Sequence, residues 1–417
     1  MLGLTSLIRL GVDTLRRDGL AVTVRSTMRY LARRAVMRGN RYFEQDARHF
    51  RDIDLSAYAP SRGGDFDVVL VTDLRFAGGS GQSSVQELDI QARHGLRSGV
   101  YHMASPLIPH ATRVAPAMDG LLRQTGVEVL NTAQTPIRTK LLIFRHPTIL
   151  NPGGDDLPAI TADHLCLIVN HPPVQFDRIQ YLLTDARRKL RAAYGVQPQI
   201  HPIGPLIRAE IDAVYDGSVD LAQPDWVNVF DIARFATPRR APDPARPLRI
   251  GRHSRMDPEK WPADAATIRA AYPDRPDISV HILGGADVPA RILGGVPSNW
   301  TVHAFGSIDP ADFLRDIDVF VYFHHPDWIE AFGRVIVEAM AAGLPVVVPP
   351  HFEPLLGEAG IYCAPGDVAD QLTQLRDPAY YTHKSQLCRD MAMRRFSTQV
   401  HIDRLTTICH PPSAPVR

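Results

Sequence analysis

The sequence is short of the residues that would make it a metal- or disulfide-stapled protein. Its four cysteines, Cys166, Cys363, Cys388 and Cys409, stand far apart with no C-x-x-C, which fits reduced thiols better than a disulfide frame or a zinc site. Lysine is equally scarce: Lys140, Lys189, Lys260 and Lys384 are all there is, so a lysine inside a motif carries weight. No run of about 18 apolar residues occurs, so no bilayer-spanning helix is expected, and the arginine-rich start does not read as a secretory signal. Neither sign of charge dominates. The 46 basic and 45 acidic side chains nearly cancel, which argues against nucleic-acid binding through bulk charge. G-x-S-x-G, P-loop and H-E-x-x-H patterns are all missing.

What is there is ordinary globular sequence, 45% hydrophobic and 22% charged. Its 417 residues predict two or three domains, and the scattered thiols with no secretory signal lead us to expect a cytoplasmic location. One asymmetry hides in the charge balance: residues 1–41 hold nine arginines against Asp13 and Asp18. Within them Val24, Met28, Leu31 and Ala35 recur at helical spacing beside Arg25, Arg29 and Arg33, so residues 1–50 are expected to form a basic amphipathic helical extension. Such a helix docks on an anionic membrane face, packs on its own domain with a solvated arginine face, or, as a third reading, serves as an organellar transit peptide.

Beyond residue 50 strands and helices alternate. Asp67–Thr72 is a β-branched apolar run, and the turn Ala77-Gly78-Gly79-Ser80-Gly81 leads into a helical pattern from about Ser83 to Leu96. Gly99–Met103, Val127–Leu130, Lys140–Phe144 and His164–Val169 read as further strands. This is βαβ patterning, which builds parallel sheets with right-handed crossovers. The stretch Phe235–Pro247, rich in proline, arginine and alanine, reads as a linker. The alternation then restarts with Leu248–Ile250, Ile278–Leu283, Thr301–Ala304, Asp318–Phe323, Val346–Val348 and Ile361–Cys363, and helices are expected at Pro262–Ala271, Phe332–Ala342 and Gln386–Ile408. The expected domains are 51–235, a linker at 236–247, 248–384, and a terminal helix in 385–417 that returns to the first domain.

Ligands of open α/β sheets sit at the carboxyl ends of strands, near helix N-termini. Glu330 and Glu338 fall in that setting, in a loop after one strand and in the helix that follows. Gly333 at the helix start would let a ligand approach exposed backbone N–H groups suited to a diphosphate. A simpler reading pairs Glu338 with Arg334 one helical turn away on a solvated face. Against it, Glu338 lies in a mostly apolar stretch, a costly place for an unpaired carboxylate.

The pattern E-x7-E from Glu330 to Glu338, the run Ala339-Met340-Ala341-Ala342-Gly343-Leu344-Pro345 and the stretches Ile250–Arg255 and Lys260-Trp261-Pro262 resemble glycosyltransferase family 4. The resemblance implies a GT-B fold: two Rossmann-like parallel-sheet α/β domains facing across a cleft. It implies a retaining enzyme in which Glu330 contacts the hydroxyls of the donor sugar and Glu338 the ribose diol. Either Arg252 or Arg255, with Lys260, would neutralise the donor diphosphate, the role a metal would otherwise take. His171 resembles the family's histidine near the transferred sugar, and Gly79 and Gly81 would line the same region. Together these are the expected donor-binding residues, with Glu330, His171 and Lys260 expected to be catalytic.

The expected reaction moves a hexosyl-type sugar from a nucleotide diphosphosugar to a hydroxyl of a glycan or lipid-linked acceptor, in surface polysaccharide or glycoconjugate synthesis, with no metal and no cofactor. The alternatives are a sugar-nucleotide epimerase, a glycogen-type phosphorylase or a non-catalytic nucleotide-sugar-binding module. The Asp52-x-Asp54, Asp65-x-Asp67 and Asp316-x-Asp318 pairs are read as turn or strand-edge aspartates rather than metal ligands. His324-His325 is set aside as a metal site because adjacent residues diverge and no third ligand is spaced for it.

Overall fold

A computed structural model describes residues 53–409 apart from 109, 152–155 and 176–177. The expected basic extension, residues 1–50, and its membrane-docking face within residues 1–41 therefore lie outside the described residues. The chain divides into two compact units, the first made of the residues up to Val229 and from Gln399 on, the second of Phe230–Thr398.

The first unit has six parallel strands: β1 (Gly64–Thr72), β2 (Ser98–His102), β3 (Glu128–Val129), β4 (Ile137–Arg145), β5 (Ile160–Val169) and β6 (Gln199–Pro202). Their spatial order is β3-β2-β1-β4-β5-β6. Val68–Val71 and Leu141–Phe144 are buried on both faces, as expected of a sheet covered by helices on either side. Helix α1 (Gly79–Arg93) starts four residues earlier than the sequence pattern suggested. Gly81 explains why a small residue is needed there: a Cβ would sit 1.8 Å from the carbonyl oxygen of Phe76. Strand β6 was not expected, because Gln199-Ile200-His201-Pro202 offers one aliphatic side chain and ends in proline.

The second unit repeats the plan with β7 (Leu248–His253), β8 (Ile278–Leu283), β9 (Trp300–His303), β10 (Val319–Val321), β11 (Val346–Val348) and β12 (Gly360–Tyr362). Their order is β9-β8-β7-β10-β11-β12, all parallel. Both sheets thus have the doubly wound order in which direction reverses between the first and fourth strands. Trp261, Tyr272 and Trp300 stack in the core beneath β7 and β8.

Two boundaries differ from the sequence reading. Residues 230–235 belong to the second unit, where the Phe230 ring stacks 6.2 Å from Phe332. The terminal stretch is two helices, not one. Pro378–Phe396 packs within the second unit and, after a break at Ser397, Thr398–Cys409 runs on into the first. Asp377 caps the former by accepting from the Tyr380 N–H at 2.7 Å. Among the described residues no helix is long and apolar enough to cross a membrane.

Candidate functional site

In the second unit the chemistry gathers at the carboxyl ends of β7 and β10, where the strand order reverses. The loop after β7 is anchored by Trp261, which is buried in the core. Lys260, one residue earlier at the end of a short turn, is left to point its ammonium at Glu330. Lys260 Nζ donates to Glu330 Oε2 at 2.7 Å, and the Tyr322 hydroxyl, just past β10, donates to the same oxygen at 3.0 Å. Both charged side chains are mostly but not wholly covered, 13% and 12% exposed. Burial alone would raise the Glu330 pKa. The Lys260 charge, His324 and the hydrogen bonds from Lys260 and Tyr322 outweigh it and hold the carboxyl at about 2. Glu330 is therefore held as a carboxylate beside the Lys260 ammonium, a pair that can exchange partners with an anion and a hydroxyl.

Arg252 and Arg255 part company. Arg252 is fully buried, its guanidinium 3.9 Å from the Trp261 ring centroid and 4.9 Å from that of Tyr322. It donates to the carbonyls of Lys260 (2.6 Å) and Phe323 (3.0 Å), to the Tyr272 hydroxyl (3.0 Å) and to Ser254 Oγ (3.2 Å). Arg252, one of the two arginines expected at a diphosphate, is thus engaged by the protein's own groups and ties down the lysine loop. The signal lay in the two-residue strand period, which puts Leu248, Ile250 and Arg252 on one face. Arg255 remains exposed, paired with Asp257 at 3.0 Å.

Glu338, on helix α2 (Arg334–Ala341), is buried rather than on a solvated face, yet it does make the one-turn pair: Arg334 Nε donates to Oε1 at 2.9 Å. Burial raises its pKa, and Arg334 opposes the rise. Its second oxygen lies 3.5 Å from His253 Nε2. Burial, then the charges of Arg252 and Arg334, push the His253 pKa down to about 3, so that contact joins a carboxylate to a neutral ring. Gly333 takes φ 74° as the N-cap of α2, and a Cβ there would meet Ile336 Cδ1 at 2.9 Å and Phe352 Cε1 at 3.0 Å. The His253 ring lies 5.6 Å from Phe320, which stacks on Tyr322, so packed side chains link the Glu330 and Glu338 positions.

The corresponding strand ends of the first unit carry His171, Gly79 and Gly81, together with a residue that sequence reasoning missed. His146 follows β4 with φ 80°, an outlier for a non-glycine residue. Its ring lies 4.5 Å from both Phe76 and His171, and Tyr181 meets His171 edge-on at 5.3 Å. A chain of polar contacts holds it: His146 Nδ1 to Thr148 Oγ1 at 2.7 Å, and Thr148 to Ser105 Oγ at 2.7 Å. The Ser105 N–H donates to Asp73, which also pairs with Arg75. His171 has no partner for either ring nitrogen among the described residues, and burial lowers its pKa to about 3. Gly79 opens the helix with nothing within 4 Å of where a Cβ would be.

Asp318 proves structural, accepting from Arg249 Nη2 at 2.9 Å, and Asp67 accepts from Lys140 at 2.7 Å. Asp52 lies outside the described residues. Among the described residues no group of three or more His, Cys, Asp or Glu side chains is placed to hold a metal ion.

Residues 248–377, the stretch that holds Lys260, Glu330 and Glu338, match the family model described as glycosyl transferases group 1. No curated protein matches the sequence. Among solved structures the chain is similar to Anabaena HepE, crystallised in complex with UDP and glucose, at 15% identity and TM-score 0.56 over 82% of this chain and 98% of that one. A glycosyltransferase from Rickettsia africae is similar at 11% identity and TM-score 0.56, over 83% and 100% of the two chains. WaaG, a glycosyltransferase involved in lipopolysaccharide biosynthesis, is similar at 12% identity and TM-score 0.51, over 82% and 99%. The fold is GT-B.

Proposed function

We propose that the protein is a retaining, metal-independent glycosyltransferase that moves a hexosyl-type sugar from a nucleotide diphosphosugar to a hydroxyl of a glycan or lipid-linked acceptor. The observation that carries this reading is the Lys260–Glu330 pair, with Tyr322 donating to the same Glu330 oxygen, at the switch point of the second sheet within the matched region. The UDP bound by HepE supports a nucleotide diphosphate as the donor's leaving group.

In this reading Lys260 and Arg255 face the diphosphate and stabilise the charge that develops on it as the bond from the anomeric carbon to phosphate oxygen breaks. Glu330 accepts from sugar hydroxyls. Glu338 takes the ribose diol, exchanging part of its contact with Arg334. The departing phosphate oxygen accepts the acceptor's proton while the new glycosidic bond forms on the same face of the ring. His171 and His146, neutral in their buried stack, face the acceptor hydroxyl as hydrogen-bonding groups. The acceptor belongs to surface polysaccharide or glycoconjugate synthesis, and the protein works at the cytoplasmic membrane face, held by residues 1–41.

A thermal-shift panel of nucleoside diphosphates and their sugars tests the donor. A ligand at a hundredfold excess over its Kd stabilises by about 2.7 kcal/mol, an easily read shift. No shift with any of them would overturn the reading. Donor turnover without any acceptor would point to an epimerase, and binding without turnover to a carrier module. Liposome pelleting with and without residues 1–41 tests the membrane contact, which unchanged binding would remove.

A further inference from the structure

Sequence adjacency made His325 the obvious partner of His324, and the fold supplies a different one. His324 follows β10 and His351 follows β11, two neighbouring parallel strands, so both rings lie past the carboxyl end of the sheet. Their Nε2 atoms are 3.2 Å apart. The His324 Nδ1 lies 2.8 Å from the carbonyl of His325, and a carbonyl only accepts, so Nδ1 carries the proton and Nε2 presents a lone pair. This is how a metal-binding histidine is oriented, with its far nitrogen tied to a backbone carbonyl. The aromatic ring of Phe352, fully buried, packs 6.1 Å from His324 and 4.4 Å from His351 and fixes the approach of the two.

We propose that His324 and His351 together bind a late first-row divalent cation such as Zn2+. Two imidazole nitrogens on one tetrahedral zinc ion, each at about 2.0–2.1 Å, are about 3.3 Å apart, close to the separation in the fold. Imidazole pairs suit Zn2+, Ni2+ and Cu2+ and not Mg2+, which prefers oxygen ligands. His351 is exposed and His324 half-buried, so the ion has an entry path and water completes its coordination. Two protein ligands make an exchangeable site rather than a structural one. The site borders Glu330, whose charge His324 feels, but it plays no part in the proposed sugar transfer and holds whether or not that transfer occurs.

Calorimetric titration of the full chain with ZnCl2 in a non-chelating buffer, without nucleotide, tests this. Wild type should take up an equivalent of Zn2+ that His351→Ala loses or binds at least about tenfold more weakly, since loss of an outer partner alone costs that much. His325→Ala should keep it, because the carbonyl that orients His324 belongs to the backbone. Unchanged melting of the metal-free His351→Ala variant shows that the fold is intact. Co2+ should give a visible absorption band in wild type that the variant lacks. Identical Zn2+ isotherms for wild type and His351→Ala, or equal uptake of Mg2+, would overturn the assignment.

Discussion

The two units share a strand order and spend their charges differently. In the first, charge is sealed inside. Glu87 on α1 pairs with Arg145 at 2.5 Å and accepts from the Trp226 indole at 2.9 Å. Arg145 also donates to Asn228 at 2.8 Å, and Arg404, from the last helix, donates to the Val227 carbonyl at 2.9 Å. At the unit's strand ends the rings of Phe76, His146, His171 and Tyr181 gather with one ion pair, Asp73–Arg75, that is itself fully buried. In the second, the interior cation Arg252 is satisfied by carbonyls, hydroxyls and aromatic faces, and the ion pair Lys260–Glu330 stands at the strand ends with a window to solvent. One topology fixes where a ligand can sit. The side chains at those ends decide whether the ligand met there is an anion or a neutral hydroxyl.

The contrast can be broken most severely from the first unit. Glu87→Gln leaves Arg145 buried without its counter-charge and should cost roughly 3–5 kcal/mol of stability, read as a fall in denaturant midpoint. Lys260→Ala should do the opposite. It should lower kcat/KM by about 10²–10³-fold, the usual loss for one preorganised electrostatic donor, with a smaller fall in melting temperature than Glu87→Gln because Glu330 keeps a window to solvent. If Lys260→Ala instead destabilised the chain as much as Glu87→Gln, the distinction between structural and ligand-facing charge would fail. A Gly333→Ala change forces a side chain into a left-handed conformation. It should cost on the order of 1–2 kcal/mol and weaken donor binding along with it, measured by melting and by nucleotide titration.

Acid sharpens the comparison more gently. Burial lowers His171 to about 3 and His201 and His401 to about 4 in the first unit, and His253 to about 3 and His324 to about 4 in the second, all from an ordinary 6.5. The unfolded chain takes up protons at these sites before the folded one does. Their contribution is complete above pH 6.5 and drains away as pH falls toward 4. Glu330, held at about 2, keeps its contribution down to the ordinary carboxylate range near 4.5 and loses it only below that. Hydrogen exchange resolved by peptide, compared at pH 7 and pH 5, should show the first unit loosening more than the second. Equal loosening would remove the distinction.

Much of this was legible in the sequence, because buried parallel strands are dense in β-branched residues. Ile278–Leu283 and Val346–Val348 match their strands residue for residue. Strand β6 was hidden because its stability comes from pairing with β5 rather than from its own composition. The break at Ser397 was hidden because helical periodicity continues across it. Of the candidate site residues, Glu330 and Glu338 were suggested by their place after a strand and in the following helix and Lys260 by the resemblance and the scarcity of lysine, whereas Tyr322, His146 and the His324–His351 pair depend on which strands become neighbours. The burial of Arg252 was legible in the period of its own strand, which the motif reading did not weigh.

Arg252 also bears on how fast and how tightly a ligand is held. Its guanidinium ties down the carbonyl of Lys260 in a niche of three aromatic rings, so the loop that presents the ammonium is fixed before anything arrives. An incoming anion then meets a rigid receptor and loses little of its affinity to freezing a mobile segment. Encounter should proceed at a rate set by diffusion and ionic strength, with selectivity expressed mainly in how long the complex survives.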